Sequence, residues 1–113
     1  MEYVDILMER SKMVENWRSY LAKIVEAVNE ILPNPRVYVF GSTVKGCAVG
    51  GSDVDVLIVS NGIPNGNIER AKVKVRIEEL SKLPPYHPFE LHLADEKEGI
   101  WYFSKIKELK EFH

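Results

Sequence analysis

Residues 40–59, FGSTVKGCAVGGSDVDVLIV, decide the fold. An apolar run ends in Phe40, and Gly41-Ser42 breaks it. A connection of small residues follows to Gly50-Gly51-Ser52. Asp53 and Asp55 then alternate with valine and lead into the second apolar run, VLIV. Strand, turn, spacer and strand is the implied order. The two aspartates sit where the second strand leaves its turn.

On a strand, residues two apart face the same side, about 6.6 Å from each other. Asp53 and Asp55 therefore project their carboxylates together. Two such charges about 5 Å apart repel by roughly 3 kcal/mol at an effective dielectric near 20. A shared proton or a cation relieves that repulsion, and hard carboxylate oxygens suit Mg²⁺ or Mn²⁺. Gly41 lets the backbone turn sharply and approach a ligand. Ser42 offers a hydroxyl and stands at the expected N-terminus of a short helix over 43–49. Backbone N–H groups there form a phosphate site by geometry and dipole, and Lys45 adds positive charge one turn on. A phosphate cradle beside paired metal-binding acids is the equipment of phosphoryl or nucleotidyl transfer.

Outward from this stretch, RVYVF over 36–40 is β-branched and aromatic, a strand by composition. The second strand covers 53–60, and its long apolar end marks it as central in a sheet. Residues 2–32 read as helix. Trp17, Leu21, Ile24, Val28 and Ile31 recur at three- and four-residue spacings, and Pro33-Asn34-Pro35 stops the pattern. Tyr3 to Met8 either extend that helix or form a separate turn before Ser11. Residues 61–66 are turn formers. Residues 67–83 are ambiguous: Val73, Val75 and Ile77 alternate as in a strand, whereas length, charge and an Asn67 cap favour helix. Helix is the reading taken. Pro84 to Pro88 form a rigid loop, and FELHLA over 89–94 is a third strand. Phe89, Leu91 and Leu93 share one face of it; Glu90 and His92 share the other. The remainder, 96–113, is expected as a helix packing back on the domain through Ile100, Trp101, Phe103, Ile106, Leu109 and Phe112. These elements give an α+β fold, a small mixed sheet packed with helices.

The chain's 113 residues suffice for one domain, 1–113, which at this size buries roughly 65% of the surface the unfolded chain exposes. A net charge of −2 argues against generic nucleic-acid binding, which calls for a basic excess. The one cysteine, Cys47, forms no internal disulfide, as suits a reducing compartment. No apolar run approaches the roughly 20 residues of a membrane span, and the acidic start MEYVDILMERSK lacks a signal peptide's basic region. A cytoplasmic protein without membrane association is the expectation.

The combination of strand, Gly-Ser, spacer and GSDVDVLIV resembles the nucleotidyltransferase superfamily that includes DNA polymerase beta, and in particular its minimal nucleotidyltransferase members. Phe40 before Gly41, Lys45 before Gly46 and Ser52 before Asp53 fit the same pattern, and the order of elements extends the resemblance to nearly the whole chain. The resemblance implies a nucleotidyltransferase fold and a specific site. Asp53 and Asp55 would hold two Mg²⁺ ions, with Mn²⁺ as a substitute. Gly41 and Ser42, flanked by Lys45 and Ser52, would grip the phosphates of a nucleoside triphosphate, ATP by preference. A third carboxylate on the next strand completes such sites and takes the acceptor's proton. Glu90 fits that role because it faces away from its strand's apolar positions, although Asp is the usual residue there; Asp95 is the alternative. His92 shares Glu90's face and reads first as a partly exposed strand residue. Lys72, Lys74, Arg76 and Lys82 read as a solvated helix surface.

The resemblance further implies transfer of a nucleoside monophosphate, AMP in particular, to an acceptor hydroxyl. Minimal members often act with a separately encoded helical HEPN-domain protein in toxin–antitoxin pairs. A chain this short carries no acceptor-binding domain, which points to such a partner or to a homo-oligomer. The competing reading is a noncatalytic antitoxin that retains the fold and neutralises its partner by occlusion.

Overall fold

The two apolar runs flanking the central stretch form neighbouring strands. In a computed structural model, which describes residues 2–43 and 53–113, β1 (Arg36–Phe40) and β2 (Val54–Val59) pair antiparallel, with Phe40 opposite Asp55. β3 (Phe89–Ala94) lies parallel to β2 on its other side, with Asp55 opposite Glu90 and Leu57 opposite His92. The parallel pairing needs a crossover, supplied by helix α3 (Asn67–Leu80). A short strand, β4 (Lys110–Phe112), pairs antiparallel with β1, giving the order β3-β2-β1-β4. β2 is therefore central, as its apolar run predicts, and the sheet is mixed.

Alternation along each strand sorts the side chains to two faces. Val37, Val39, Val54, Val56, Ile58, Phe89, Leu91 and Leu93 point to the main core. There they meet Leu21, Ile24 and Val28 of α2 (Trp17–Ile31) and Ile77 of α3, all but Leu91 and Leu93 nearly inaccessible. Leu57, Val59 and Ala94 point the other way, against Tyr38, Phe40, Tyr102 and Leu109. Helix α4 (Glu96–Lys105) covers this second face, and Gly99 brings it close: a Cβ there would lie 2.9 Å from Val59 Cγ1. α4 shields the half of the face toward Val59 and Ala94. The end carrying Asp55 and Glu90 is left open.

Three expectations need correction. The helix over 2–32 is two helices, α1 (Tyr3–Glu15) and α2, separated at Asn16. Asn16 donates its side-chain N–H to the Lys12 carbonyl at 2.9 Å; such a local bond competes with helical continuation. The Asn67 cap is not used, because Gly66 occupies the N-cap and no side chain caps the helix. The helix reading of this segment holds, and its strand-like alternation is incidental. Val73, Ile77 and Leu80 face the core at helical spacing, and Val75 is exposed. The C-terminal helix stops at Lys105, and 110–112 form β4 instead. β1 would otherwise present an unpaired edge, and pairing there seats Phe112 edge-on against Trp17, ring centroids 5.3 Å apart. Among the described residues, no helix is long and apolar enough to cross a membrane.

Candidate active site

The last residue of β1 is followed by Gly41, whose φ of +85° is a left-handed conformation that side chains resist. Space excludes a side chain as well: a Cβ at Gly41 would lie 2.7 Å from Asp55 Oδ2. The turn thus places backbone directly against the carboxylate. Ser42 follows, half-buried in the same turn. Lys45 and Ser52 lie outside the described residues, as do the expected short helix beyond Thr43 and the turn at 50–52.

From β2, Asp55 faces the open end of the second sheet face. From β3, Glu90 stands opposite it, and His92 follows on the same side. His92 Nε2 lies 3.3 Å from Asp55 Oδ1 and 3.9 Å from Glu90 Oε1. One ligand atom from each of Asp55, Glu90 and His92 lies within 4.8 Å of the others, the spacing of a cation's ligands. Asp55 and His92 are 28% and 25% exposed, and Glu90 is 56% exposed, so the site is walled on one side and open on the other. The imidazole is packed near Phe40 and Tyr102, at ring-centroid distances of 5.3 and 6.2 Å. Burial raises the Tyr102 hydroxyl above its usual range, with the negative Glu98 adding to the effect.

Asp53 precedes the strand and has a different neighbour. Its Oδ1 accepts a hydrogen bond of 2.9 Å from Arg10 of α1. The same guanidinium donates to the carbonyls of Tyr86 and His87 at 2.6 and 3.0 Å. Arg10 thereby ties α1, the loop before β3 and the entrance of β2 together. His87 itself is structural: its Nδ1 accepts the Phe89 amide at 3.0 Å and its Nε2 pairs with Glu78. With Nδ1 accepting, the ring's proton sits on Nε2.

Asp95, the alternative third acid, sits at the far end of β3 from Glu90. It caps α4, accepting the Glu98 amide at 2.8 Å while Glu98 accepts the Asp95 amide at 3.0 Å. Glu98 is also paired bidentately with Arg70, at 2.6 and 3.0 Å. That guanidinium, followed by the Asp95 amide, lowers the Glu98 carboxyl to about 2. The basic residues of α3 belong to a helix on the opposite side of the sheet from the acids. A cleft of about 370 Å³ opens beside Phe40 and Gly41, and Lys105 and Lys107 line it. A larger cavity, about 960 Å³, lies between α2 and the end of α3, away from Asp55 and Glu90.

The fold therefore brings together Gly41, Asp55 and Glu90, adds His92, and sets Asp53 at the edge on Arg10. His92 is the partly exposed strand residue expected, two residues after Glu90 on the same face of β3, and it also stands beside Asp55. Nothing in the sequence points to Arg10, which lies 43 residues from its carboxylate. Metal ligands at 2.1 Å from an ion stand about 3 Å apart when adjacent and about 4.2 Å when opposite. The two spacings from His92 fall in that range, and the Asp55 and Glu90 ligand atoms lie within 4.8 Å of each other, so these residues fit a divalent cation.

The nucleotidyltransferase domain family model matches residues 21–111. A solved structure from Sulfolobus solfataricus, described as a "putative nucleotidyltransferase", is 25% identical over 96% of this chain and 84% of that one, with a TM-score of 0.61. A second structure with the same description is 25% identical over 83% of this chain and 98% of that one, with a TM-score of 0.65. No curated protein matches the sequence.

Proposed function

Because the chain belongs to the nucleotidyltransferase domain family, we propose that it is, over 1–113, one catalytic domain that transfers a nucleoside monophosphate to an acceptor hydroxyl. The donor is a nucleoside triphosphate, ATP by preference. The observation that carries this reading is the contact between the Gly41 turn and Asp55, which itself faces Glu90 across the β2–β3 pairing.

Asp53, Asp55 and Glu90 are the residues that hold the divalent cations. When bound, Mg²⁺ or Mn²⁺ neutralises triphosphate charge and acidifies the acceptor hydroxyl. Gly41 and Ser42 present backbone N–H groups to the β- and γ-phosphates, and Lys45 and Ser52 extend that grip. Lys105 and Lys107, beside the cleft at Gly41, add positive charge. The acceptor oxygen bonds to the α-phosphorus, the bond to the β-phosphate oxygen breaks, pyrophosphate leaves, and Glu90 accepts the acceptor's proton. The fixed hydrogen-bond donors and charges act in a site walled by Phe40 and Tyr102.

The acceptor belongs to another molecule, a helical HEPN-type protein in a toxin–antitoxin pair. Exposed Tyr3, Val4 and Met8 on α1 and Ile100 and Trp101 on α4 supply apolar surface for such a partner or for a second copy of this chain. The charge balance and single cysteine support a cytoplasmic protein that binds neither membranes nor nucleic acid in general. One observation favours the noncatalytic antitoxin reading: Asp53 is engaged by Arg10 and is not part of the Asp55 cluster. Incubation with α-labelled ATP and Mg²⁺ or Mn²⁺, with and without a helical partner, separates the two. Label on an acceptor, lost at least a hundredfold in Asp55→Asn with an unchanged circular dichroism spectrum, supports catalysis. Absence of label together with absence of metal-dependent nucleotide binding refutes it.

A further inference from the structure

The chemistry of the donors beside Asp55 goes further than the acids alone. Glu90 and His92 are two residues apart on β3 and share a face, and Asp55 lies directly across from Glu90. His92 Nε2 approaches both carboxylates, at 3.3 and 3.9 Å. Both distances lie between the adjacent and opposite spacings of ligands around one small cation. The ring packs against the neighbouring Phe40 and Tyr102 rings, so less freedom is lost when the nitrogen binds. An imidazole nitrogen is a softer donor than a carboxylate. It adds affinity for first-row transition ions, whereas Mg²⁺ favours oxygen and gives up its water reluctantly.

Building on the nucleotidyltransferase reading, we propose that His92 is a direct metal ligand with Asp55 and Glu90. This mixed nitrogen–oxygen site selects Mn²⁺ and its heavier neighbours over Mg²⁺. The site then responds to the cell's transition-metal supply, and loading with Mg²⁺ alone uses only its oxygen donors. An alternative role for His92 is to hold Asp55 by a hydrogen bond, without touching the ion.

The test uses the full chain with Mn²⁺ alone, in the absence of nucleotide. Free Mn²⁺ is counted by electron paramagnetic resonance, Mg²⁺ affinity follows from competition, and electron spin-echo modulation reads nitrogen on the bound ion. The wild type is expected to bind Mn²⁺ at least tenfold more tightly than Mg²⁺ and to show a directly coordinated ¹⁴N. His92→Phe keeps the ring packing without a donor, and His92→Gln keeps an N–H for Asp55. Both are expected to lose the ¹⁴N signal and at least fivefold of the Mn²⁺/Mg²⁺ ratio, with Mg²⁺ affinity within threefold of wild type. Bound Mn²⁺ without ¹⁴N coupling in the wild type overturns the proposal. So does a wild type that binds no Mn²⁺, or a His92→Gln variant that keeps the ratio. Because no nucleotide is present, the outcome is separate from whether label transfer occurs.

Discussion

Replacing Gly41 with alanine probes the contact on which the site is built. Two costs are separable. A non-glycine residue at φ of +85° pays about 1–2 kcal/mol of backbone strain. The new methyl would also stand 2.7 Å from Asp55 Oδ2, roughly half an ångström inside van der Waals contact, which displaces the carboxylate at about 1 kcal/mol. Restricting the unfolded chain offsets about 0.5 kcal/mol. The net loss is about 2 kcal/mol, or roughly 5–10 °C in Tm for a domain of this size. In an Asp55→Ala background the obstruction is gone, and the loss falls to about 1 kcal/mol. Urea denaturation of the four proteins in the cycle measures the coupling, expected at about 1 kcal/mol, above the usual non-additivity of about 0.3–0.5 kcal/mol for independent sites. Metal binding by Gly41→Ala should fall as Asp55 moves, and nucleotidyl transfer should fall about a hundredfold, as a misplacement of about 1 Å can cause. Equal costs in both backgrounds would falsify the claim that the turn and the carboxylate are in contact.

Arg10→Met removes a guanidinium that serves two carbonyls and Asp53. The pair with half-exposed Asp53 counts for less than about 1 kcal/mol and the carbonyl bonds for about 1 kcal/mol each, with water replacing part of them. A loss of about 1–2 kcal/mol in urea denaturation is expected, and a change below 0.3 kcal/mol (within ordinary error for such a measurement, roughly) contradicts the tie. For Glu98, the folded carboxyl at about 2 lies below its ordinary value of 4.5. Its stabilisation is complete above about pH 4.5 and is lost as pH falls toward 2. Glu98 is 44% exposed, so solvent screening limits the effect to about 1 kcal/mol. Thermal melts of wild type and Glu98→Gln should diverge above pH 4.5 and converge near pH 2; parallel curves across that window contradict the assignment.

β1, β2 and β3 were legible because their signals are local. RVYVF and VDVLIV are β-branched runs bounded by glycine or proline, and FELHLA alternates cleanly. Once alternation was read, Glu90 followed as the acid turned away from the core, and the register then placed it opposite Asp55. The parts that were not legible depend on distant partners. Leu109 and Phe112 stand at helical spacing with no alternation between them, and only the open edge of β1 and the Trp17 ring choose the strand. The break at Asn16 turns on one side-chain bond to Lys12 within an otherwise continuous apolar stripe. Asp53 looked like Asp55's twin by spacing. Its partner, Arg10, is on a helix whose own pattern advertises nothing but a charged surface position.

The region that matches the family begins at residue 21, yet Arg10 reaches Asp53 from α1, ahead of that boundary. The matched region and the set of residues that hold Asp53 in place are thus not coextensive. A graft or truncation cut at the family boundary would carry Gly41, Asp55 and Glu90 intact but would leave Asp53 without its cation and the loop at 86–87 without its anchor. One side chain on a helix ahead of the matched region thus sets the charge around an acid inside it.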